Sequence, residues 1–223
     1  MKRSQINDAI QFAEGLMGEH RFALPPFAHW TPADWKARGP EADPIRRAML
    51  GWDVTDLGRG DFSRFGLTLF TVRNGKPGTG RPYCEKIMVV RGAQVCATHF
   101  HWRKTEDIIN RGGGDLVMEL WLAAADDALS PDDAEVEQDG IRRRYPAGTK
   151  VVLAPGESMT LEPRMYHNFY SRDPKGAVLV GEVSTVNDDA GDNRFLEAAG
   201  RYPPIEEDAA PYRLLCNEYG LQA

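Results

Sequence analysis

Three of the five histidines in this 223-residue sequence are spaced as metal ligands could be. His99 and His101 are two residues apart, and residues two apart on a β-strand face the same side. Glu106 follows five residues after His101, and His167 comes from a later β-prone segment. Three neutral imidazoles and one carboxylate suit a borderline divalent ion such as Mn²⁺, Fe²⁺, Co²⁺, Ni²⁺ or Zn²⁺. On a six-coordinate ion they leave two positions open, as inner-sphere binding of a substrate diol requires.

The elements that must position these residues are mainly β-strands. From about residue 52 to residue 184, β-prone runs follow one another, separated by Gly, Pro, Asn and Asp turns without helices between them. Such a pattern predicts an antiparallel sandwich or small barrel. The candidate strands are 64–73, 85–91, 93–100, 115–123, 134–138, 141–145, 149–154, 158–162, 167–171 and 177–183. Asp139-Gly140 between two of these runs predicts a hairpin.

The segments on either side of this region differ from it. Residues 1–50 predict a helical N-terminal cover, because residues 4–18 place apolar side chains at spacings of three and four. Residues 185–223 are expected to form a loop, a helix and a strand that pack on the β region. We therefore expect one domain over residues 1–223, with the metal-binding barrel at residues 51–184.

Composition narrows the classes of function. The net charge is −6, from 27 Lys and Arg against 33 Asp and Glu, which argues against a nucleic-acid partner because phosphate contacts need clustered positive charge. No run approaches the ~20 apolar residues that cross a bilayer, so we expect no membrane partner. Cys84, Cys96 and Cys216 are odd in number and form no CxxC pair, which predicts thiols in a reducing, cytoplasmic compartment.

The metal-ligand pattern resembles the two cupin motifs. The matching residues are His99, His101, Glu106 and Gly113 for the first motif and Gly156, Pro163 and His167 for the second. The spacing departs from the pattern at Gly92 and His167, and Met165 replaces the usual glycine, but no ligand is lost. The resemblance implies a mainly β fold, a cupin-type antiparallel β-barrel or jelly roll with N-terminal and C-terminal helical decorations. It also implies that the metal lies inside the mouth of the barrel.

Longer strings are similar to the D-lyxose isomerase family. They lie at residues 49–56, 99–114, 181–189, 192–195 and 215–219, so the similarity runs over nearly the whole chain. The resemblance implies interconversion of D-lyxose with D-xylulose, and of D-mannose with D-fructose, by proton transfer through a metal-chelated cis-enediol. It further implies Mn²⁺ as the cofactor, a free sugar as the small-molecule partner, and a homodimer.

For such a reaction the chain must supply a base near C1 and C2 of the open-chain sugar. Glu182 is the candidate, because it interrupts an apolar run in which a carboxylate either faces the lumen or is a costly buried charge. Partial burial would raise the pKa of Glu182. Lys104 lies between His101 and Glu106 and could hydrogen-bond a sugar oxygen or transfer a proton; equally, its ammonium could point to solvent.

Five further residues are candidates for substrate binding: Lys86, Trp52, Asp188, Asp189 and Arg194. Lys86 lies on a candidate strand and could reach the lumen. Trp52 could stack on a sugar face, although core packing is the more common role of a tryptophan. The two aspartates and Arg194 follow Glu182 in a polar segment, where they could contact sugar hydroxyls or form a lid.

Other functions stay open at this point. An iron cupin dioxygenase is compatible with three His and one Glu ligands, but it leaves Glu182 and Lys104 without a role. A sugar-binding or sensory cupin would keep the metal only as structure, usually fused to a DNA-binding domain, and no basic helix-turn-helix segment is visible. A phosphosugar isomerase should carry clustered Arg or Lys, and Arg103, Lys104 and Arg164 near the motifs are too few.

Overall fold

A computed structural model describes residues 1–189, 191–200 and 202–220. Its helices are α1 (Arg3–Glu19), α2 (Pro32–Ala37) and α3 (Asp43–Arg47), with 3₁₀ turns at Pro26–His29 and Pro40–Ala42. Its strands are β1 (Gly51–Thr55), β2 (Leu67–Asn74), β3 (Tyr83–Arg91), β4 (Val95–His101), β5 (Glu106–Gly112), β6 (Leu116–Leu122), β7 (Ala134–Gln138), β8 (Ile141–Tyr145), β9 (Thr149–Leu153), β10 (Ser158–Leu161), β11 (Met165–Ser171), β12 (Ala177–Thr185) and β13 (Asn193–Phe195).

The strands form two antiparallel sheets. The larger sheet has the order β1-β2-β3-β12-β5-β10-β7-β8, and the smaller has the order β13-β4-β11-β6-β9. Apolar side chains from both sheets form one buried cluster, with Leu69 and Val90 from the larger sheet and Leu120 and Phe169 from the smaller. The core therefore lies between the two sheets, which confirms the predicted antiparallel, mainly β fold.

Helix α1 covers the other face of the larger sheet. Its apolar residues Ile6, Ile10, Ala13 and Met17, spaced three or four apart, are buried, as the pattern of residues 4–18 predicts. They belong to a second apolar cluster that includes Trp52 on β1. None of the helices in the described part of the chain combines the length and apolar character that a bilayer crossing requires.

Two strands and one helix differ from the sequence-based expectations. Strands β1 and β5 were not among the candidate strands, and β5 carries Asp107, Asn110 and Arg111 within a run that looks like a polar loop. Beyond residue 185, the described residues contain the short strand β13 and no helix. Pro203, Pro204 and Pro211 fall in this segment and lack the backbone donor that a helix interior needs, so the expected C-terminal helix was wrong there.

Candidate active site

Strands β4 and β11 bring three imidazoles together on the inner face of the smaller sheet. His99 stands opposite His167 in the strand register, and His101 lies two residues along β4 on the same face. One ligating nitrogen of each ring lies within 4.8 Å of the others, and all three side chains are buried. The structure thus brings together the three histidines that the sequence pattern selected.

Glu106, the first residue of β5, reaches the same point from the larger sheet. Its Oε1 lies 3.2 Å from Nε2 of His101 and 3.1 Å from Nε2 of His167. Neither this oxygen nor either ring nitrogen of His101 has a hydrogen-bond partner among the described residues, although all are buried. Buried polar atoms are normally satisfied, so these donor atoms around one point indicate a site for a cation.

The backbone orients two of the imidazoles toward this point. The Nδ1 atom of His99 lies 2.7 Å from the carbonyl oxygen of Ala97, and Nδ1 of His167 lies 3.1 Å from that of Met165. A carbonyl only accepts hydrogen bonds, so Nδ1 carries the hydrogen in both rings. The lone pair of Nε2 is then left for a ligand, as in metal-binding histidines whose other nitrogen is held by a carbonyl.

The electrostatics of the site keep His99 and His101 neutral and the carboxyl group of Glu106 ionised. Burial, together with the neighbouring rings of His167 and His101, lowers the pKa of His99 well below its ordinary value, and burial also lowers the pKa of His101. Burial alone would raise the pKa of Glu106, but the charge of Lys104 and the contacts with His101 hold it well below its usual range. Neutral imidazoles and a carboxylate are the forms that bind metals. The residues present therefore fit a borderline divalent ion.

A second cluster of charges lies beside these ligands. The Lys104 Nζ is 2.7 Å from Oε2 of Glu106 and donates to Oε1 of Glu182 at 2.8 Å. Lys86 stands opposite Glu182 in the β3–β12 register, with its Nζ 3.2 Å from Oε1 and 3.4 Å from Oε2 of that carboxylate. The hydroxyl of Ser184 also donates to Oε1 of Glu182, at 3.2 Å. Two carboxylates and two ammonium groups thus form one buried, charge-balanced cluster.

The protonation of Glu182 differs from the sequence-based expectation. Burial acts to raise its pKa, as expected, but the charges of Lys104 and Lys86 outweigh this effect and lower the pKa below its ordinary value. In the same way, although burial opposes it, the charges of Glu106 and Glu182 raise the pKa of Lys104 well above its ordinary value. Glu182 is therefore held in its ionised form, as a carboxylate.

The two clusters share one cavity of about 550 Å³, counting its open mouth. Besides the four candidate ligands, Lys86, Lys104 and Glu182 line it. The other lining residues are Thr55, Leu57, Leu67, Leu69, Met88, Cys96, Ile108, Phe169, Asp189, Asn193 and Phe195. Of the five predicted substrate-binding residues, Lys86 and Asp189 line the cavity.

Trp52 does not line the cavity. It is 1% exposed in the apolar cluster beneath α1, and its Nε1 donates to the carbonyl of Ala28 at 2.9 Å. Alternation along β1 explains this: Trp52 and Val54 face the helices, whereas Thr55 faces the cavity. The expected stacking of Trp52 on a sugar is therefore replaced by core packing.

Asp188 and Arg194 also lie outside the cavity wall. The Asp188 carboxylate is half exposed and lies 3.3 Å from the guanidinium of Arg103, at an outer groove. Arg194 is the middle residue of β13, and its guanidinium donates to the carbonyl of Phe195. Its two neighbours on the strand, Asn193 and Phe195, face the cavity, as alternation requires.

Phe195 and Asn193 are the site residues that sequence reasoning missed. β13 pairs with β4 so that Phe195 is opposite His99, and the two rings are 5.5 Å apart. The signal in the sequence was the alternation itself: once Asp192-Asn193-Arg194-Phe195 is taken as a strand, Arg194 points away from the side that Asn193 and Phe195 share.

The family model for D-lyxose isomerase matches residues 1–219 of this chain. The chain is also 51% identical over 225 residues to a D-lyxose/D-mannose isomerase of Serratia proteamaculans, with 98% of each chain covered. The chain belongs to the D-lyxose isomerase family. Another relative, a D-lyxose ketol-isomerase of Cohnella laeviribosi, is 30% identical over 191 residues that cover 78% of this chain and 97% of the relative. Membership in the D-lyxose isomerase family confirms the prediction of an aldose–ketose isomerase.

Solved structures of sugar isomerases share the fold of this D-lyxose isomerase family member. An L-ribose isomerase of Acinetobacter sp. DL28 in complex with L-ribose superposes with a TM-score of 0.62 at 16% identity, over 92% of this chain and 98% of that one. An L-ribose isomerase of Cellulomonas parahominis with L-ribose gives 0.60 at 19% identity with the same coverage. The likeness concerns the fold, and it confirms the cupin-type β-barrel that the motifs implied.

Proposed function

We propose that this protein is a divalent-metal-dependent isomerase that interconverts D-lyxose with D-xylulose, and D-mannose with D-fructose, by proton transfer through a cis-enediol. The observation that carries the proposal is the meeting, in one buried cavity, of a four-donor metal site and a carboxylate held between two lysines. The similarity to D-lyxose/D-mannose isomerases of Serratia proteamaculans and Escherichia coli O157:H7, 51% and 49% identical, supports the choice of sugars.

The metal in this proposal is Mn²⁺, held by His99, His101, Glu106 and His167. When bound, such an ion supplies Lewis-acid polarisation of the oxygens on C1 and C2 of the sugar. The three imidazoles contribute no charge, and the single carboxylate leaves the centre electrophilic. Carbonyl contacts to two of the rings keep Nε2 directed at the centre before any ion arrives.

Glu182 is the base in this proposal. Its Oε1 is engaged by Lys104, Lys86 and Ser184, whereas its Oε2 is contacted, within the described ranges of the chain, by Lys86 alone and at the longer distance of 3.4 Å. Oε2 keeps a second lone pair beside this long hydrogen bond, so it can accept the proton from C2 of the aldose and return it to C1, while the hydroxyl proton passes from O2 to O1. Because the pKa of Glu182 is lowered, the group begins the cycle ionised.

Lys104 has two tasks in the proposed reaction. Its ammonium contacts both Glu106 and Glu182, so it fixes the orientation of the base relative to the metal ligands. It also compensates the negative charge of two buried carboxylates, which would otherwise be costly to keep ionised. As a protonated donor in the cavity wall, it is the group we assign to hydrogen-bond a sugar oxygen during proton transfer.

The rest of the cavity suits an uncharged sugar. Asp189 and Asn193 offer hydrogen-bonding groups, and Phe195 offers an aromatic face. Among the described lining residues, Lys86 and Lys104 are the lysines or arginines, and both are already paired with carboxylates. A phosphate group would need further cations, so the proposed substrates are free sugars rather than phosphosugars.

The dioxygenase and sensor alternatives do not use the second cluster. A metal-bound oxygenase site or a structural metal needs no carboxylate suspended between two lysines beside the ligands. An isomerase needs a base close to C1 and C2 of the sugar, because the proton moves between these two carbons. The position of Glu182 in the cavity wall therefore favours the isomerase.

An isomerisation assay on chelator-treated protein tests the proposal. D-lyxose, D-mannose and a phosphosugar are supplied separately, each with and without added Mn²⁺, and ketose formation is followed. Turnover of the free sugars that returns with Mn²⁺ is the expected result. Turnover of the phosphosugar alone, or no turnover by protein that holds one metal ion per chain, would refute the proposal.

We also propose that the protein is cytoplasmic and forms a homodimer. Cys84, Cys96 and Cys216 are buried, and no disulfide joins them, in keeping with a reducing compartment. Sedimentation equilibrium of the metal-loaded protein tests the oligomeric state: a mass of twice 24.9 kDa is expected, and a monomer would contradict it.

A further inference from the structure

The segment that follows β12 is hydrogen-bonded to strand β2 through two asparagines, Asn187 and Asn74. The side chain of Asn74 accepts a hydrogen bond from the backbone N–H of Asn187 at 3.0 Å and donates one to its carbonyl at 3.1 Å. Asn74 itself lies at the end of β2, where it is paired with Cys84 of β3. The backbone of Asn187 is thus held from both sides, independently of what its own side chain contacts.

The side chain of Asn187 holds the ammonium of Lys86. Its Oδ1 accepts a hydrogen bond from Lys86 Nζ at 2.7 Å, whereas the distances from that nitrogen to the two carboxylate oxygens of Glu182 are 3.2 and 3.4 Å. A free ammonium beside a carboxylate closes to about 2.7–2.9 Å, because charge-assisted hydrogen bonds are the shorter and stronger ones. Here the closest partner of the ammonium is a neutral amide.

The distances from the Lys86 ammonium to Asn187 and to Glu182 affect how well Glu182 can accept a proton. Glu182 Oε1 receives hydrogen bonds from Lys104 and Ser184, whereas Oε2 receives, from the described residues, only the long one from Lys86, so Oε2 is the oxygen we assign to proton transfer. Lys86 already donates a long hydrogen bond to Oε2, at 3.4 Å, and an ammonium that moved closer would shorten this bond and weaken Oε2 as a proton acceptor. Because the backbone of Asn187 is hydrogen-bonded to Asn74 of β2, the side chain of Asn187 can keep the ammonium of Lys86 at its present distance from Oε2.

We propose that Asn187 is a positioning residue that restrains the ammonium of Lys86 and so keeps Oε2 of Glu182 available as the proton acceptor. The inference rests on the proposed isomerase function. Asn187 does not line the cavity in the described part of the chain, so its effect is exerted through Lys86 and not through contact with the sugar.

The test begins with Asn187→Ala, assayed as the metal-loaded enzyme with D-lyxose. We expect kcat to fall about tenfold, the scale of one hydrogen bond to a charged group, while KM stays within about twofold of the wild type. Asn187→Asp restores an oxygen acceptor for Lys86 and is expected to recover most of kcat. Asn187→Leu, which keeps the approximate size of the side chain but has no acceptor oxygen, serves as the second loss-of-contact variant should the alanine protein not fold.

Two further variants distinguish the restraint of Lys86 by Asn187 from a general loss of order in the segment that follows β12. Arg103→Ala removes the ion pairs to Asp188 and Asp192 of the same segment and leaves the backbone and the ammonium groups of Lys86 and Lys104 in place, so its kcat is expected to be unchanged. In a Lys86→Met background, Asn187→Ala should have no further effect on kcat, because the group it restrains is gone.

The outcomes are distinguishable from a failure of the proposed function. Wild-type enzyme that turns over no sugar would refute the isomerase proposal itself. Active wild type with an unchanged Asn187→Ala variant would overturn the positioning role alone, and so would an equal loss of kcat in the Lys86→Met background or in Arg103→Ala. A kcat loss confined to the Asn187 variants that lack the acceptor oxygen, and dependent on Lys86, supports it.

Discussion

His99 and His167 stand directly opposite each other on β4 and β11, with their ring centroids 4.3 Å apart. The register of the two strands becomes irregular immediately beyond this pair, between His167 and Phe169. Because side chains alternate along a strand, a slip of one residue in β11 would turn His167 to the outer face of the barrel. The strand register therefore determines whether the third imidazole joins the site.

The first prediction concerns these ligands. Replacing His167 or His101 by alanine should abolish both metal retention and isomerase activity, because each change removes one of four donors around a single point. The metal content of the purified variant, measured by plasma mass spectrometry, is the primary readout. His29→Ala changes a histidine with a half-exposed side chain outside the cavity and is the matched control. A His167→Ala protein that keeps its metal and its turnover would exclude His167 as a ligand.

The second prediction separates the base from the metal site. Glu182→Gln keeps the size of the side chain but removes the charge and the proton acceptor, so metal should stay bound while kcat falls by about 10²–10⁴. Exchange of solvent deuterium into the C2 position of the sugar should fall in parallel. Glu119→Gln, on the outer face of the smaller sheet beside Lys150, is the control and should leave both rates unchanged. Near wild-type turnover by Glu182→Gln would assign the base to another group.

The third prediction follows from the burial of Trp52. Truncation to alanine should lower the free energy of unfolding by about 3–5 kcal/mol, the usual cost of removing a large aromatic side chain from a core. Urea denaturation measures this loss. Because Trp52 lies outside the cavity, Trp52→Phe should leave KM for the sugar unchanged. An increase in KM with unchanged stability would support the stacking role instead.

The fourth prediction concerns Cys84. Burial raises the pKa of its thiol from the ordinary value of 9.0 to about 11. In the unfolded chain the thiol ionises earlier, so stability contributed by the neutral buried thiol is complete below about pH 9 and is lost as the pH rises toward 11. The unfolding free energy of wild type should therefore fall more steeply over this range than that of Cys84→Ala. Parallel curves for the two proteins would contradict the shift.

Much of the fold can be read from the sequence because local patterns and tertiary pairing agree there. The predicted segments 134–138 and 141–145 coincide with β7 and β8, where buried and exposed residues alternate cleanly in β7. Strand β5 was missed because Asn110 looks like a loop residue. In the structure its side chain donates to the carbonyls of Gly114 and Leu153, partners that become apparent only once the chain has folded.

Some features of the candidate site can be predicted from the sequence, and others depend on the folded structure. The ligand spacing of His99 and His101 is a local property of one strand, so the sequence reveals it. The pKa of Glu182 depends on charges brought from two other segments by Lys86 and Lys104, and their contribution reverses the effect of burial. A sequence shows that a carboxylate lies in an apolar run, but it does not show which cations face it.

The last prediction uses the alternation of β13 as its own control. Phe195 faces the cavity beside His99, whereas Arg194 points away from it. Phe195→Ala should raise KM for D-lyxose by about three- to tenfold, since one aromatic contact contributes roughly 0.5–1.5 kcal/mol beyond its buried area, with little effect on metal content. Arg194→Ala, one residue away on the same strand, should leave KM unchanged. If Arg194→Ala raises KM and Phe195→Ala does not, the polar residue is the one that binds sugar, and the face assignment of β13 is wrong.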